Sequence, residues 1–437
     1  MAKSTKAARP GENGGDKERG THPGASLDEL LLAAQERGDE SFETGRFIIT
    51  FKENALDEGI AMLKAHGMRL ADARDFAHQA LTLETVGDVD AVIFPAVGSA
   101  LVGGKAFAAH GLSTQDEIAP DSPFAAIEPE YFMFANDLPG EYLRGFMRAV
   151  ETITKDLARG GLEEGEIEPE VLGATWGLAK CKVTSSARSG VGMRVAVLDT
   201  GMDLGHPDFS GRLFVTNTFV GEPVQDMNSH GTHCIGTACG PKSPPGRTAR
   251  YGIAFRSQIY AGKVLTNAGS GTTSSVLAGI NWAIANHCAV ISMSLGSQSP
   301  VQAAFTAAGQ AALDNGCLIV AAAGNAASTT GAPANSPTIM SVAALDQTLV
   351  PSSFSNFGKI EIAAPGRDVF SSVPRPERYG IKSGTSMATP HVAGCAALWA
   401  ETNAHLRGMA LWNKLLSTAK ALPFPAAKVG RGIVQAP

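Results

Sequence analysis

The chain has 437 residues, of which 44% are hydrophobic and 18% charged, and its formal net charge is −6. That length exceeds one ordinary domain and suits two, with enough apolar material for a large core. No basic surface argues for a nucleic-acid partner. Nor is a membrane partner expected: the longest apolar stretch, AVIFPAVGSALVGG, is broken by Pro95 and several glycines and is too short to span a bilayer.

Residues 1–25 are polar, charged and Gly-rich and read as a disordered tail. Basic residues are present, but no apolar run follows them, so no Sec-type leader is read there. A cytoplasmic location is the resulting expectation, with non-classical secretion left open. SLDELLLAAQERGDE (26–40) predicts a short helix with a Ser cap and a Leu stripe. RFIITFK then reads as a strand and LDEGIAMLKAHG as a helix ending at Gly67. MRLADARDF and DAVIFPAVG read as extended segments, and FAAIEPEYFMFA (124–135) as a closing strand. Over 139–158, Tyr142, Phe146, Val150, Ile153 and Leu157 fall at spacings of three and four and predict a helix. An acidic linker, GGLEEGEIEPE, follows it.

From about Val171 the pattern changes. VAVLDTG, QIYAGKVL, AVISMSLG, GCLIVAAAGN and TIMSVAAL read as buried strands, and the segments between them as Ala-rich helices. Continuous apolar strands alternating with helices predict an α/β fold, a parallel sheet flanked by helices on both faces. Functional groups in such sheets gather at the carboxyl ends of the strands. Asp199 follows VAVL, His230 opens a predicted helix, Asn325 ends LIVAAAG, and Ser386 opens the helix SMATPHVAGCAALWAETN. Ser386 alone reads equally as a helix cap. With the other three, a hydrolytic constellation is expected: a serine nucleophile needs a base, the base needs an orienting carboxylate, and a tetrahedral intermediate needs donors for its oxyanion. Asn325 and the Ser386 backbone N–H are the candidate donors. Pro390 is expected within the first turn of its helix, where a missing N–H costs little.

VAVLDTGMDLGHPD, SHGTHCIGTACG, AAAGN and GTSMATPHVAG together resemble the subtilisin-like serine proteases, and they occur in that family's order of Asp, His, Ser. The resemblance spans about Thr175 to Gln435. It implies a catalytic triad of Asp199, His230 and Ser386 with Asn325 as oxyanion donor. It also implies that Gly269, Ser270 and Gly271 line one side of a bound peptide, and Ser294, Leu295 and Gly296 the other. Ala322, Ala323, Gly324 and Gly331 would line a roomy pocket for a large apolar residue before the cut. Tight strand–helix packing is the other account of these small residues. HGTHC resembles the proteinase K group, whose free thiol lies under the catalytic histidine. Cys234 would then confer sensitivity to thiol reagents, or simply pack there.

HGTH has an HxxH spacing, but the role of His230 accounts for it and zinc is not expected. No cofactor is required for the chemistry. The resemblance allows a structural calcium held by Glu361 with the carbonyls of Pro337 and Ile339, whereas the loop CGPKSPPGRTARY lacks calcium oxygens and Asp208 is expected to be structural. All six cysteines are read as buried free thiols.

The segment from Arg46 to Ala135 resembles the propeptide of these proteases. Four parts are therefore expected: a tail (1–25), a propeptide-like inhibitory α+β domain (26–135), a helix and linker (136–172) and a catalytic domain (173–437). Any cleavage site is sought between Phe134 and Gly173. The expected partners are a protein or peptide substrate and the chain's own N-terminal domain as an intramolecular inhibitor. A permanent regulatory domain and a silent binding scaffold stay open as alternatives. A lipase or esterase would need GxSxG and the order Ser, Asp, His, and neither is found.

Overall fold

The computed structural model describes residues 22–37, 42–76, 89–113, 121–135 and 173–437. The helix expected over 139–158 and the acidic linker lie outside these residues, as does most of the expected tail. Helix α1 (Leu27–Arg37) is opened by Ser26, whose hydroxyl accepts from the Glu29 N–H while the Glu29 carboxylate accepts from the Ser26 N–H, a reciprocal cap. Then come β1 (Glu43–Phe51), α2 (Leu56–Ala65), β2 (Leu70–Asp72), β3 (Ala91–Phe94), β4 (Ser99–Val102), α3 (Gly104–Ala109) and β5 (Phe124–Phe134). MRLADARDF is extended only over β2 and then tightens into a 3₁₀ turn at Ala73–Phe76. Helix α3 was not expected; it is short, and its Gly and Ala residues carry little periodic signal.

The larger unit begins with α4 (Trp176–Lys180) and β6 (Arg194–Asp199), followed by the edge strand β7 (Phe214–Thr218). Next are α5 (His230–Cys239), β8 (Gln258–Lys263), β9 (Ser270–Thr272), α6 (Thr273–Ala285) and β10 (Val290–Met293). Then come α7 (Ala303–Asp314), β11 (Leu318–Ala322), β12 (Met340–Leu345), β13 (Ile362–Pro365), a hairpin of β14 (Val369–Ser372) and β15 (Tyr379–Lys382), and α8 (Thr385–Thr402). Seven strands form one parallel sheet in the order β13-β12-β11-β10-β6-β8-β7.

Strand periodicity of two explains how both faces are filled. Val195 and Val197 of β6 pack with Cys234 and Ile235 of α5 and Val392 of α8. Ala196 and Leu198 point the other way, against Val276 and Ile280 of α6 and Phe305 of α7. That second core continues into the N-terminal unit through Ile48, Val92, Phe94 and Met133. The two units also share a sheet, ordered β2-β3-β4-β1-β5-β9, in which β9 belongs to the larger unit.

Helix α5 approaches the end of β6 closely because Gly231 has no side chain. A Cβ there would press into the Gly201 carbonyl oxygen and lie 3.0 Å from Thr200 Oγ1. Gly201 itself sits at φ +112°, where other residues are strained. Gly231→Ala is therefore expected to lower stability by about 1–3 kcal/mol, the usual cost of overpacking, and to reduce activity by displacing His230. Urea unfolding beside a peptidase assay checks this; unchanged stability would refute the close approach.

Candidate active site

Asp199 and His230 pair at the carboxyl edge of the seven-stranded sheet, and Ser386 opens the helix packed beside them. Asp199 is the last residue of β6 and only 1% exposed. Its Oδ1 accepts from the Thr200 N–H at 2.7 Å and faces His230 Nδ1 at 2.8 Å. His230 opens α5 and is 3% exposed, and its Nε2 is buried without a hydrogen-bond partner. Ser386, the second residue of α8, is also 3% exposed. Its hydroxyl donates toward Ala135 O and Ser294 O, both at 3.3 Å. Asn325 holds its Oδ1 against Thr385, accepting from that residue's N–H at 2.7 Å and its hydroxyl at 2.9 Å. Its side-chain N–H₂ is the end left to meet a substrate oxygen.

Pro390 is not in the first turn of α8. It is the sixth residue, and an N–H there would have bonded the Ser386 carbonyl four residues back. Two groups from other elements supply that bond: the Ser294 hydroxyl donates to Ser386 O at 2.7 Å, and Cys234 Sγ lies 3.6 Å from the same oxygen. Cys234 Sγ is also 3.9 Å from His230 Nδ1, underneath the imidazole. Burial pushes this thiol up, so it stays protonated near neutrality.

The peptide rim is filled by the chain's own strand. β5 pairs antiparallel with β9, placing Met133 opposite Gly271 and Phe134 opposite Ser270. On the other side, Phe134 N–H donates to Gly296 O at 3.0 Å and Gly296 N–H to Phe134 O at 2.9 Å. Ala135 N–H donates to Gly269 O at 2.9 Å. Met133 enters the core formed by Leu265, Val276 and Leu295. Ala322 ends β11, and the Gly324 N–H bonds Thr385 Oγ1 at 3.1 Å. The Gly331 N–H bonds Ala323 O at 3.2 Å. A Cβ on Gly331 would press into Ser297 O, so close packing accounts for that glycine.

Two residues that matter here escaped sequence reading. Asp226, fully buried, accepts from the N–H groups of Asn228, Ser229 and Thr232 and from the hydroxyls of Thr200 and Thr232. It thereby fixes the turn that delivers His230, including Ser229 at φ +83°. Lys263, also buried, donates to Thr200 O at 2.5 Å and to Asn267 Oδ1 at 2.9 Å, and pairs with Glu222 at 3.2 Å. Asp226 was legible only as an Asp four residues before His230, and Lys263 only as a lysine inside the strand read over QIYAGKVL.

The side chains of both candidate metal sets are engaged by other groups of the chain. His233 turns away from His230 and bonds Val369 O at 2.9 Å, and burial draws it down to about 3, so it is a neutral structural imidazole. Among the described residues, the ligating atoms of Asp199, His230 and Cys234 do converge, but the imidazole is committed to the carboxylate and the sulfur is a protonated thiol. In the expected calcium set of Glu361, Pro337 and Ile339, the Lys359 ammonium bonds Ile339 O and lies 2.8 Å from Glu361 Oε2. All six cysteines are free and buried. No helix of the described residues is long and apolar enough to cross a membrane.

Residues 190–432 match the subtilase family (peptidase S8). The chain is 36% identical over 321 residues to an alkaline protease of Alkalihalobacillus alcalophilus, covering 71% of this chain and 82% of that protein. It is 37% identical over 295 residues to subtilisin E of Bacillus subtilis strain 168, covering 63% and 74%. In structure it is similar to a cold-adapted subtilisin-like serine proteinase, with a TM-score of 0.52 and 34% identity, over 60% of this chain and 96% of that one. The expected cytoplasmic location does not stand: kinship with alkaline proteases and subtilisins points away from it.

Burial alone would lower the His230 imidazole, but the Asp199 carboxylate outweighs it and holds the ring well above the ordinary value of 6.5. A general base must be neutral, so raising its pKa moves activity to higher pH. The ascending limb of the kcat/KM profile is expected above that of an ordinary imidazole. A limb at or below that of a free histidine would contradict the pairing. Asp199→Asn is expected to reduce kcat by about 10⁴-fold, as removal of the orienting carboxylate does elsewhere.

Proposed function

Since the chain belongs to the subtilase family and is a serine endopeptidase, we propose that Ser386 is its nucleophile, His230 its general base, Asp199 the orienting carboxylate and Asn325 an oxyanion donor. A peptide enters extended between Gly269–Gly271 and Ser294–Gly296. Ser386 Oγ attacks the carbonyl carbon while His230 Nε2 takes its proton. Asp199 holds the imidazole in the tautomer that leaves Nε2 free to do so and stabilises the imidazolium. The new oxyanion falls to the Asn325 amide and to the Ser386 N–H at the start of α8. The imidazolium protonates the leaving amine, and water then repeats the sequence to release the acyl group. The reaction draws on side chains and backbone alone and needs no cofactor.

The N-terminal unit acts as an intramolecular inhibitor and the protein is made as a precursor. The observation that carries this is the β5–β9 ladder, which seats the chain's own strand against Ser386. Three further features support it. Glu128 accepts from the Ala303 N–H at 2.8 Å and Glu130 from the Ser274 N–H at 3.0 Å, so β5 places a carboxylate at the N-terminus of α7 and another at that of α6. Arg46 pairs with Glu130 at 2.6 Å with both side chains buried. Helix α1 covers Phe132 and Phe134 with Leu30, Leu31 and Ala34.

The register bears on where the chain is cut. The Phe134–Gly296 pair exchanges both hydrogen bonds, and Ala135 O, the last carbonyl of the seated strand, accepts from the Ser386 hydroxyl and makes no bond to the oxyanion donors. This supports a cut after Ala135, within the span from Phe134 to Gly173. For other substrates, the small residues Ala322, Ala323 and Gly324 leave room for a large apolar side chain before the cut. Self-cleavage does not require that fit, because a tethered strand acts at high effective concentration.

Mass spectrometry of wild type beside Ser386→Ala tests both readings. The wild type is expected to lose an N-terminal segment ending between Phe134 and Gly173 and the variant to stay at full length; a shortened variant, or a wild type that stays whole while cutting peptides, would sink the precursor reading. Deleting residues 1–37 is expected to shorten the lag before activity by roughly tenfold or more, since two buried leucines worth about 1.5–3 kcal/mol each are withdrawn from the inhibitory strand. An unchanged lag would show that α1 adds nothing to inhibition.

A further inference from the structure

The surroundings of Glu361 bear on how the catalytic unit is stabilised. Glu361 lies just before β13, and its Oε2 accepts from the Ser341 N–H of β12 at 2.7 Å. Beside it, Lys359 Nζ donates to Ile339 O and to Glu361 Oε2, and lies 5.9 Å from the centre of the Trp412 ring. A main-chain carbonyl, a carboxylate and an aromatic ring thus converge on one ammonium, and each attracts a cation.

Calcium does not fit this arrangement. It takes roughly six to eight oxygens at about 2.3–2.6 Å, whereas here Oε2 already has two donors and the ammonium lies within hydrogen-bond distance of the very oxygens a metal would use. A dication brought between Ile339 O and Glu361 would sit against a fixed positive charge. A second carboxylate is satisfied in a similar way: fully buried Asp208 accepts from the Tyr251 hydroxyl at 2.6 Å and the Tyr379 hydroxyl at 2.8 Å, with Arg378 at 3.6 Å.

We propose that Lys359 is a built-in counter-ion, standing where a divalent cation would otherwise tie the β12–β13 edge together, so that this edge is stable without metal. Burial pulls the ammonium below the ordinary lysine value and the Glu361 carboxylate works against it. The oxygen cradle persists if the ammonium is removed, and calcium then becomes able to occupy it.

Melting in the Ser386→Ala background, where self-digestion cannot blur the transition, tests the idea. Each chain is melted in a chelator, in calcium chloride and in magnesium chloride at matched concentration. The parent is expected to melt at the same temperature in all three. Lys359→Ala is expected to melt several degrees lower in chelator, to recover in calcium and not in magnesium, and to lose that recovery when Glu361→Gln is added. The proposal is overturned if the parent melts higher in calcium than in chelator and Glu361→Gln abolishes the difference, because a metal then binds beside the lysine. It is also overturned if Lys359→Ala ignores calcium, or cannot be obtained folded with calcium or without it. Calorimetric titration of the parent with calcium gives an independent reading: no heat of binding supports the proposal, and saturable binding that Glu361→Gln abolishes overturns it.

Discussion

A carboxylate buried at the end of a parallel strand must be met by donors, and much of the catalytic unit follows from meeting Asp199. Its Oδ1 is met by the Thr200 N–H and by His230 Nδ1, and α5 can come that close only because Gly231 has no side chain to press into the Gly201 carbonyl. The turn that delivers His230 is held by a second buried carboxylate, Asp226. Positive charge is brought to the same corner by Lys263, which donates to Thr200 O and so tethers the residue next to Asp199. Two buried carboxylates, the part-exposed Glu222, one ammonium and one imidazole are thus gathered at one corner. Removing any one of them leaves the others uncompensated, the costly case for buried charge.

The N-terminal unit meets this corner through backbone geometry more than through particular side chains. Its last strand completes a ladder that the catalytic unit leaves open at β9 and at Gly296. Glu128 and Glu130 then satisfy N–H groups at the starts of α7 and α6, which helices cannot pair internally. On the proposed inhibitory role, the contacts that would block the cleft are the ones that complete the fold. Arg46 shows how tightly this interface is closed, since its guanidinium bonds Glu130 and Pro23 O while remaining 1% exposed.

The parts legible in the sequence were those with a local pattern. Asp199, His230, Asn325 and Ser386 each stand at the end of an apolar strand or the start of a helix, and buried strands announce themselves as runs of Val, Ile, Leu and Ala. What stayed hidden depends on residues distant in the chain. Pro390 reads as harmless near a helix start, and only the helix boundary shows that it strips the Ser386 carbonyl of its donor, which Ser294 and Cys234 replace from two other elements. Glu361 resembles a metal ligand in sequence, and although Lys359 stands two residues before it, only the fold shows that this lysine reaches Ile339 O twenty residues upstream. The edge strand β7 and the hairpin of β14 and β15 carry mixed polarity and too few residues for periodicity to register.

The shared sheet has a consequence for what the enzyme could digest under the proposed precursor reading. With β5 gone, the cleft would be a slot between two bare strand edges, and its occupant must offer several consecutive unpaired backbone groups to both sides. Native helices and interior strands have none to offer, because their own ladders use them. A compact protein reaches Ser386 only through segments that have opened, so its cleavage rate follows the population of its locally unfolded states. The cleft selects substrates by how often their backbone is free as well as by the side chains that flank the cut.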